Sequence, residues 1–186
     1  MDEPHDRIPG RLRVTGSRTV YENRWIRVRE DATERADGTP GIYAVVEKSP
    51  GTLVVPVDAG NVWLVEQYRH TVGARLREFP QGAWEDRPDA PAAELAQGEL
   101  AEETGLRAGR LVELGRLYYA YGMSSQPFTA WLATELEPGP AAPETSESDI
   151  RALRVPIDDF ESQVRDGTIV DSASVAAWHL ARPHLD

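Results

Sequence analysis

Glu99, Glu102 and Glu103 fall at i, i+3 and i+4 within Gly98-Glu99-Leu100-Ala101-Glu102-Glu103-Thr104-Gly105-Leu106. On a helix this spacing crowds three carboxylates onto one side, where they repel one another. A fold that keeps such a helix must set open solvent or a cation opposite it. The solvated acidic face is the plainer reading. The sharper one is a metal-binding helix, because hard Mg²⁺ or Mn²⁺ takes oxygen ligands and can bridge phosphates. Gly105 suits the left-handed residue that ends many helices. Upstream, Asp89 is placed to cap a helix from about Ala90 to Thr104, with Pro91 in its first turn. Ala93, Ala96 and Leu100 make a narrow stripe of mostly small residues, suited to close packing on a sheet with the acids turned toward a cleft.

The chain before that helix reads as β-structure from Arg11 to Arg69. Thr19–Tyr21, Trp25–Arg29 and Tyr43–Val46 are short runs of strand formers with alternation. Ala36-Asp37-Gly38-Thr39-Pro40-Gly41 and Asp58-Ala59-Gly60-Asn61 are hairpin turns. The second lies between Thr52–Val57 and Val62–Tyr68. After the helix come strands near Leu111–Tyr121, Phe128–Leu136 and Ile150–Val155, with a loop rich in Pro, Ala and Glu between the last two. Asp158–Asp166 and Ser172–Ala181 read as helices, the second capped by Asp171 or Ser172. Residues 1–10 read as a disordered N-terminal segment, 11–50 as an N-terminal β-sheet region and 51–186 as the main domain.

With 186 residues the chain can bury a substantial core. No apolar run approaches membrane-spanning length, which speaks against a membrane role. The absence of cysteine leaves no disulfide framework and no thiol nucleophile, as expected of a cytoplasmic protein. A net charge of −11 excludes a general nucleic-acid binder, though not a nucleotide substrate whose phosphates are neutralised locally by metal. Lys48 is the one lysine, so arginine carries nearly all the positive charge.

The stretch from Gly82 to Leu106 resembles the Nudix box. Gly82 opens it, and Glu99, Leu100, Glu102, Glu103, Gly105 and Leu106 match its end. Here the span is two residues longer than the family pattern, Gly98 stands in place of an arginine, and the early glutamate falls on Ala90, with Asp89 and Glu85 nearby. Over residues 17–182 the chain is similar to the ADP-ribose pyrophosphatase branch. Glu66-Gln67-Tyr68-Arg69, Glu78-Phe79-Pro80-Gln81-Gly82 and Gly167–Val175 carry the likeness. The resemblance implies an α/β fold, the Nudix α/β/α sandwich, with an N-terminal antiparallel sheet that relatives share in a homodimer.

It further implies metal-assisted hydrolysis of the pyrophosphate in a nucleoside diphosphate linked to another group. By resemblance, Glu99 and Glu103 are main metal ligands, Glu102 a ligand or neighbouring carboxylate, and the Gln81 carbonyl a further ligand. Glu147 is the catalytic acid–base candidate, with Glu144 in reserve. Arg69 is a phosphate contact, Glu78 orients ribose or braces the site (its plainer reading being a salt bridge with Arg75 or Arg77), and Trp25 and Tyr121 (or Tyr119) stack on the nucleoside base. ADP-ribose hydrolases of this branch carry a proline where this chain has Gly122. The missing proline weakens ADP-ribose as the substrate, and a nucleoside-diphosphate sugar or a dinucleoside polyphosphate stays open beside it. The altered box also supports a second reading, a nucleotide-sensing or protein-interaction module without turnover.

Overall fold

A computed structural model describes residues 10–84, 87, 89–139 and 149–185. Its contacts divide the chain into two compact units.

The first unit takes residues up to Ser49 together with Ala120–Gln126. Its three antiparallel strands, β1 (Arg13–Glu22), β2 (Arg27–Glu34) and β3 (Pro40–Glu47), lie in sequence order. The β2–β3 hairpin closes through Gly38 in the left-handed region (φ 82°), with the Arg35 amide donating to the Thr39 carbonyl. Ion pairs tie neighbouring strands: Arg13–Glu34 at 2.7 Å, Arg18–Glu30 at 2.7 Å, and both Arg27 and Arg29 onto Glu47. Val14, Val20, Tyr21, Trp25, Ile42 and Tyr43 remain exposed. The Ala120–Gln126 segment joins this sheet through Tyr43 Oη, which donates to the Gly122 carbonyl at 2.9 Å, and through the Val46–Ser124 bridge.

The second unit is a mixed sheet of β4 (Gly51–Asp58), β5 (Asn61–Arg69), β6 (Ala74–Glu78), β7 (Gln81–Gly82), β8 (Leu106–Tyr118), β9 (Pro127–Pro138) and β10 (Arg151–Pro156). The order β10-β5-β4-β9-β8 is antiparallel except for the parallel β4–β9 pair, and β6 and β7 add to β5 and β4. Ala59 and Gly60 both take positive φ (46° and 77°), so β4 turns into β5 through a two-residue primed turn matched to strand twist.

Central β4 alternates between two cores. Leu53 and Val55 pack with Phe79, Phe128, Phe160 and Trp178, beneath helices α2 (Ile157–Arg165) and α3 (Ser172–Ala181). Val54 points the other way, to Ala96 and Leu100 of helix α1 (Ala92–Thr104) and to Trp131 and Ala133. Helices therefore cover both faces, and β4 is buried from Gly51 to Pro56. Such two-sided burial calls for a continuous apolar run rather than alternation, and Leu53-Val54-Val55-Pro56-Val57 supplies one. Among the described residues no helix is long and apolar enough to cross a membrane.

Two local expectations are corrected. Helix α1 starts at Ala92 after Pro91, whose backbone takes the N-cap position, and Asp89 makes no cap. The buried face of α1 is Leu95, Ala96, Glu99, Leu100 and Glu103, while Ala93 is exposed. Two carboxylates thus lie on the packed face itself rather than beside it.

Candidate active site

Three segments of the second unit meet where α1 crosses the strand edge. The first runs from the end of β6 into β7. Glu78 closes β6, Phe79 plugs the aromatic core 5.1 Å from Phe160, and Gln81–Gly82 pair with Leu53 and Thr52 of β4. The second is α1, and the third is the start of α3.

Glu99 stacks directly on Gly82. A Cβ built at residue 82 would lie 2.4 Å from Glu99 Oε2, so any side chain there would displace the carboxylate. One turn later, Glu103 Oε2 accepts the Gln81 amide at 3.1 Å. Both acids are nearly buried, at 5% and 4% exposure. Gly105 (φ 71°) ends the helix and donates to the Ala101 carbonyl, as the sequence anticipates.

On the α3 side, Asp171 caps the helix by accepting the Ser174 amide at 2.8 Å, and it also accepts the Gln81 side-chain amide at 3.1 Å. Ser174, fully buried, donates its hydroxyl to Asp171 and accepts the Phe79 amide. The cap of α3 and the Gln81 segment are thus one hydrogen-bonded unit. Asp171 is legible from sequence as a cap, but its grip on Gln81 is not, because the two residues are ninety positions apart.

Glu78 is buried between Gln67, which donates to it at 2.9 Å, and the guanidinium of Arg69. Its partner is therefore Arg69. Arg75 and Arg77 turn instead to Glu66, and Arg75 also to Asp149 at 2.6 Å. Burial pushes the Glu78 carboxyl above the ordinary glutamate range, with Arg69 opposing. Arg69 is raised in turn, since Glu78, Glu103 and Asp171 outweigh its own desolvation. The Tyr119 phenol is raised by burial and by Asp171, Glu78 and Glu99. Its ring packs 4.5 Å from Phe128, so Tyr119 belongs to the core rather than to a stacking surface.

Glu102 does not share the buried face. It lines a groove of about 790 Å³ on the flank of α1 with Trp84, Gln97, Gly98, Arg107 and Glu137. Trp25 and Tyr121 lie in the first unit, 51% and 85% exposed, with the Arg24 guanidinium 4.5 Å above the Trp25 ring. Glu147, Glu144 and Glu85 fall outside the described residues.

The chemistry of the donor set bears on whether a divalent cation fits here. Four carboxylates (Glu78, Glu99, Glu103 and Asp171) act on the environment of Arg69 and Tyr119, which leaves an excess of negative charge. Hard oxygens at Glu99 and Glu103 converge on the Gln81–Gly82 step. Among the described residues no three acidic or imidazole side chains form a complete cage. This is the arrangement expected of an ion that keeps waters and substrate oxygens in its shell and takes only one or two protein carboxylates. The residues fit.

Residues 47–178 match the NUDIX domain family, and 33% identity over 162 residues links the chain to the ADP-ribose pyrophosphatase of Mycobacterium tuberculosis, covering 86% of this chain and 78% of that one. The chain belongs to the Nudix family. Its N-terminal residues 13–46 match a second family, described as the nucleoside diphosphate sugar hydrolase N-terminal domain. The ADP-ribose pyrophosphatase of Bacillus subtilis is 26% identical over 161 residues, covering 85% of each chain. The fold superposes on the crystal structure of an ADP compounds hydrolase with a TM-score of 0.82, at 22% identity over 94% of both chains. This Nudix protein is thus a hydrolase of the pyrophosphatase type, a class that works with divalent metal ions. The sensing-module reading is not favoured.

Proposed function

We propose that this Nudix protein hydrolyses the pyrophosphate linkage of ADP-ribose or a nucleoside-diphosphate sugar, releasing a nucleoside monophosphate and a phosphorylated sugar. The observation that carries the reading is the pair of buried carboxylates, Glu99 and Glu103, fixed against the Gln81–Gly82 step. The names of the curated relatives favour ADP-ribose among the substrates.

Glu99, Glu103 and the Gln81 carbonyl would hold Mg²⁺ or Mn²⁺, with Glu102 at the margin. A bound divalent ion neutralises the diphosphate and acidifies a water. The protein's own groups do the rest. The Gln81 amide orients Glu103, Asp171 holds the Gln81 side chain, and Glu78 keeps the Arg69 guanidinium at the site, where it contacts phosphate. Glu78 is assigned to ribose as well. Glu147, with Glu144 in reserve, positions or deprotonates the attacking water. Trp25 and Tyr121 present exposed rings for the nucleoside base. The exposed apolar residues of the N-terminal sheet support a homodimer. Nucleic acid and membrane are not partners in this reading, and the enzyme acts in the cytoplasm.

The test is turnover of ADP-ribose, GDP-mannose, UDP-glucose, NADH and diadenosine polyphosphates with Mg²⁺ and Mn²⁺, with Glu103→Gln as control. Metal-dependent cleavage that falls more than ~100-fold in the variant is expected, since even outer partners of metal ligands are worth up to that much. A near-native Glu103→Gln enzyme would overturn the metal role.

A further inference from the structure

Gly98 sits in the middle of α1, where glycine weakens a helix relative to alanine. The structure supplies a reason. A Cβ built at residue 98 would lie 2.2 Å from Cζ2 of Trp84 and 2.9 Å from Cη2, so the indole occupies the space that any other residue would need. The Arg87 guanidinium also lies over the indole, 4.7 Å from the ring centroid. Arg87 in turn reaches Glu94 in the first turn of α1 at 2.6 Å, and its amide donates to the Trp84 carbonyl. Trp84 thus contacts both the middle of the helix and a residue tied to the helix start.

The placement matters because of what adjoins each end of this contact. Trp84 follows Gly82 by two residues, and Glu99 follows Gly98 directly. Gly82 and Glu99 are themselves in contact, through the carboxylate that any side chain at residue 82 would displace. The contact between residues 84 and 98 therefore adjoins the contact between residues 82 and 99 at both ends, one residue from the Gln81 amide that bonds Glu103.

We propose that Trp84, seated on Gly98 and clasped by Arg87, is the positioning residue that holds the Gln81–Gly82 step in register with Glu99 and Glu103. It serves in place of the arginine that the box pattern puts at position 98. The proposal rests on the metal-dependent reading for its effect on catalysis, but not for its effect on local structure.

Four variants test it: Trp84→Gly, Trp84→Phe, Gly98→Ala and the double variant Trp84→Gly/Gly98→Arg. Three readouts are followed: amide hydrogen exchange at Gln81, Mn²⁺ affinity by titration, and kcat and KM separately. Gln81 exchange is expected to quicken ~10-fold or more in Trp84→Gly and Gly98→Ala, because local opening becomes easier while the global fold persists. Mn²⁺ affinity and kcat should fall by ~10–100-fold with KM little changed, the effect typical of groups that orient a ligand. Trp84→Phe should keep most of each, and the added arginine should restore part of what Trp84→Gly loses. A Trp84→Gly protein with native Gln81 exchange overturns the proposal. So does one that melts earlier but binds Mn²⁺ as tightly as the parent. If the parent neither binds Mn²⁺ nor cleaves any substrate while Trp84→Gly still loosens Gln81, the brace stands and the metal-dependent reading fails.

Discussion

The two units of this chain hold arginine–carboxylate pairs of the same chemistry in opposite surroundings. In the N-terminal sheet, Arg18 meets Glu30 with 70% and 31% of the side chains exposed. In the second unit, Glu78 meets Arg69 with only 5% of the carboxylate side chain exposed. Water screens the first pair and satisfies each partner when the other is removed. The Glu78 carboxylate has no such recourse, so the pair is costly to break from that side and its position is fixed. Strand pairing in the N-terminal sheet is decorated by charge, whereas the catalytic unit has charge built into its packing.

The comparison breaks if the two pairs respond alike to removal of the carboxylate. Glu78→Ala, which strips both Gln67 and Arg69 of their partner, is expected to cost about 3 kcal/mol in urea denaturation, the low end for a buried pair because Arg69 keeps 38% exposure. Glu30→Ala should cost under ~1 kcal/mol in the same assay. Equal losses would mean that burial is not what separates the two regions.

A smaller effect sharpens the role of α3. Asp171→Ala removes a cap and the grip on Gln81, with an expected loss of about 1 kcal/mol. Asp171→Asn should recover most of the stability by thermal melting, because asparagine caps equally well.

The subtlest difference is in pH dependence. Glu78 is raised by burial, so the folded state binds its proton more tightly than the unfolded chain does. Its contribution is complete below the ordinary glutamate range and is lost as pH rises through the folded value. Asp31, in the N-terminal sheet, is lowered by the Ser17 hydroxyl and then by Arg29. Its contribution is present above the ordinary aspartate range and is lost as pH falls. Denaturation midpoints against pH should decline less above the ordinary glutamate range in Glu78→Gln, and less below the ordinary aspartate range in Asp31→Asn. Slopes of the same sign in both regions would contradict this.

Much of the fold was legible because the strands and turns announce themselves locally. Asp58–Asn61, Asp37–Gly38 and Asp171 each carry turn or cap chemistry that the structure realises. The short strands β6 and β7 were not legible, since Ala74–Glu78 and Gln81–Gly82 have no apolar run and exist by pairing with β5 and β4. The pairing of Glu99 with Glu103 on one face followed from spacing. That this face would be packed, with Glu102 turned to the groove, depended on Leu95 rather than Ala93 entering the core. The partner of Glu78 could not be read from spacing either, because Arg69, Arg75 and Arg77 compete on neighbouring strands and only strand register decides among them.

The N-terminal sheet closes on a segment made much later. Tyr43 bonds Gly122 across 79 residues, and Gln126 bonds the Ser49 carbonyl across 77. During synthesis at about 5–20 residues per second, the β1–β3 sheet therefore waits roughly 4–16 s for its last segment. Over that interval the Val46 amide and carbonyl lack the Met123 and Ser125 partners that pair them in the finished unit. A slow codon stretch between β4 and β8 would lengthen the wait, and a chaperone that masks open strand edges would find its substrate there.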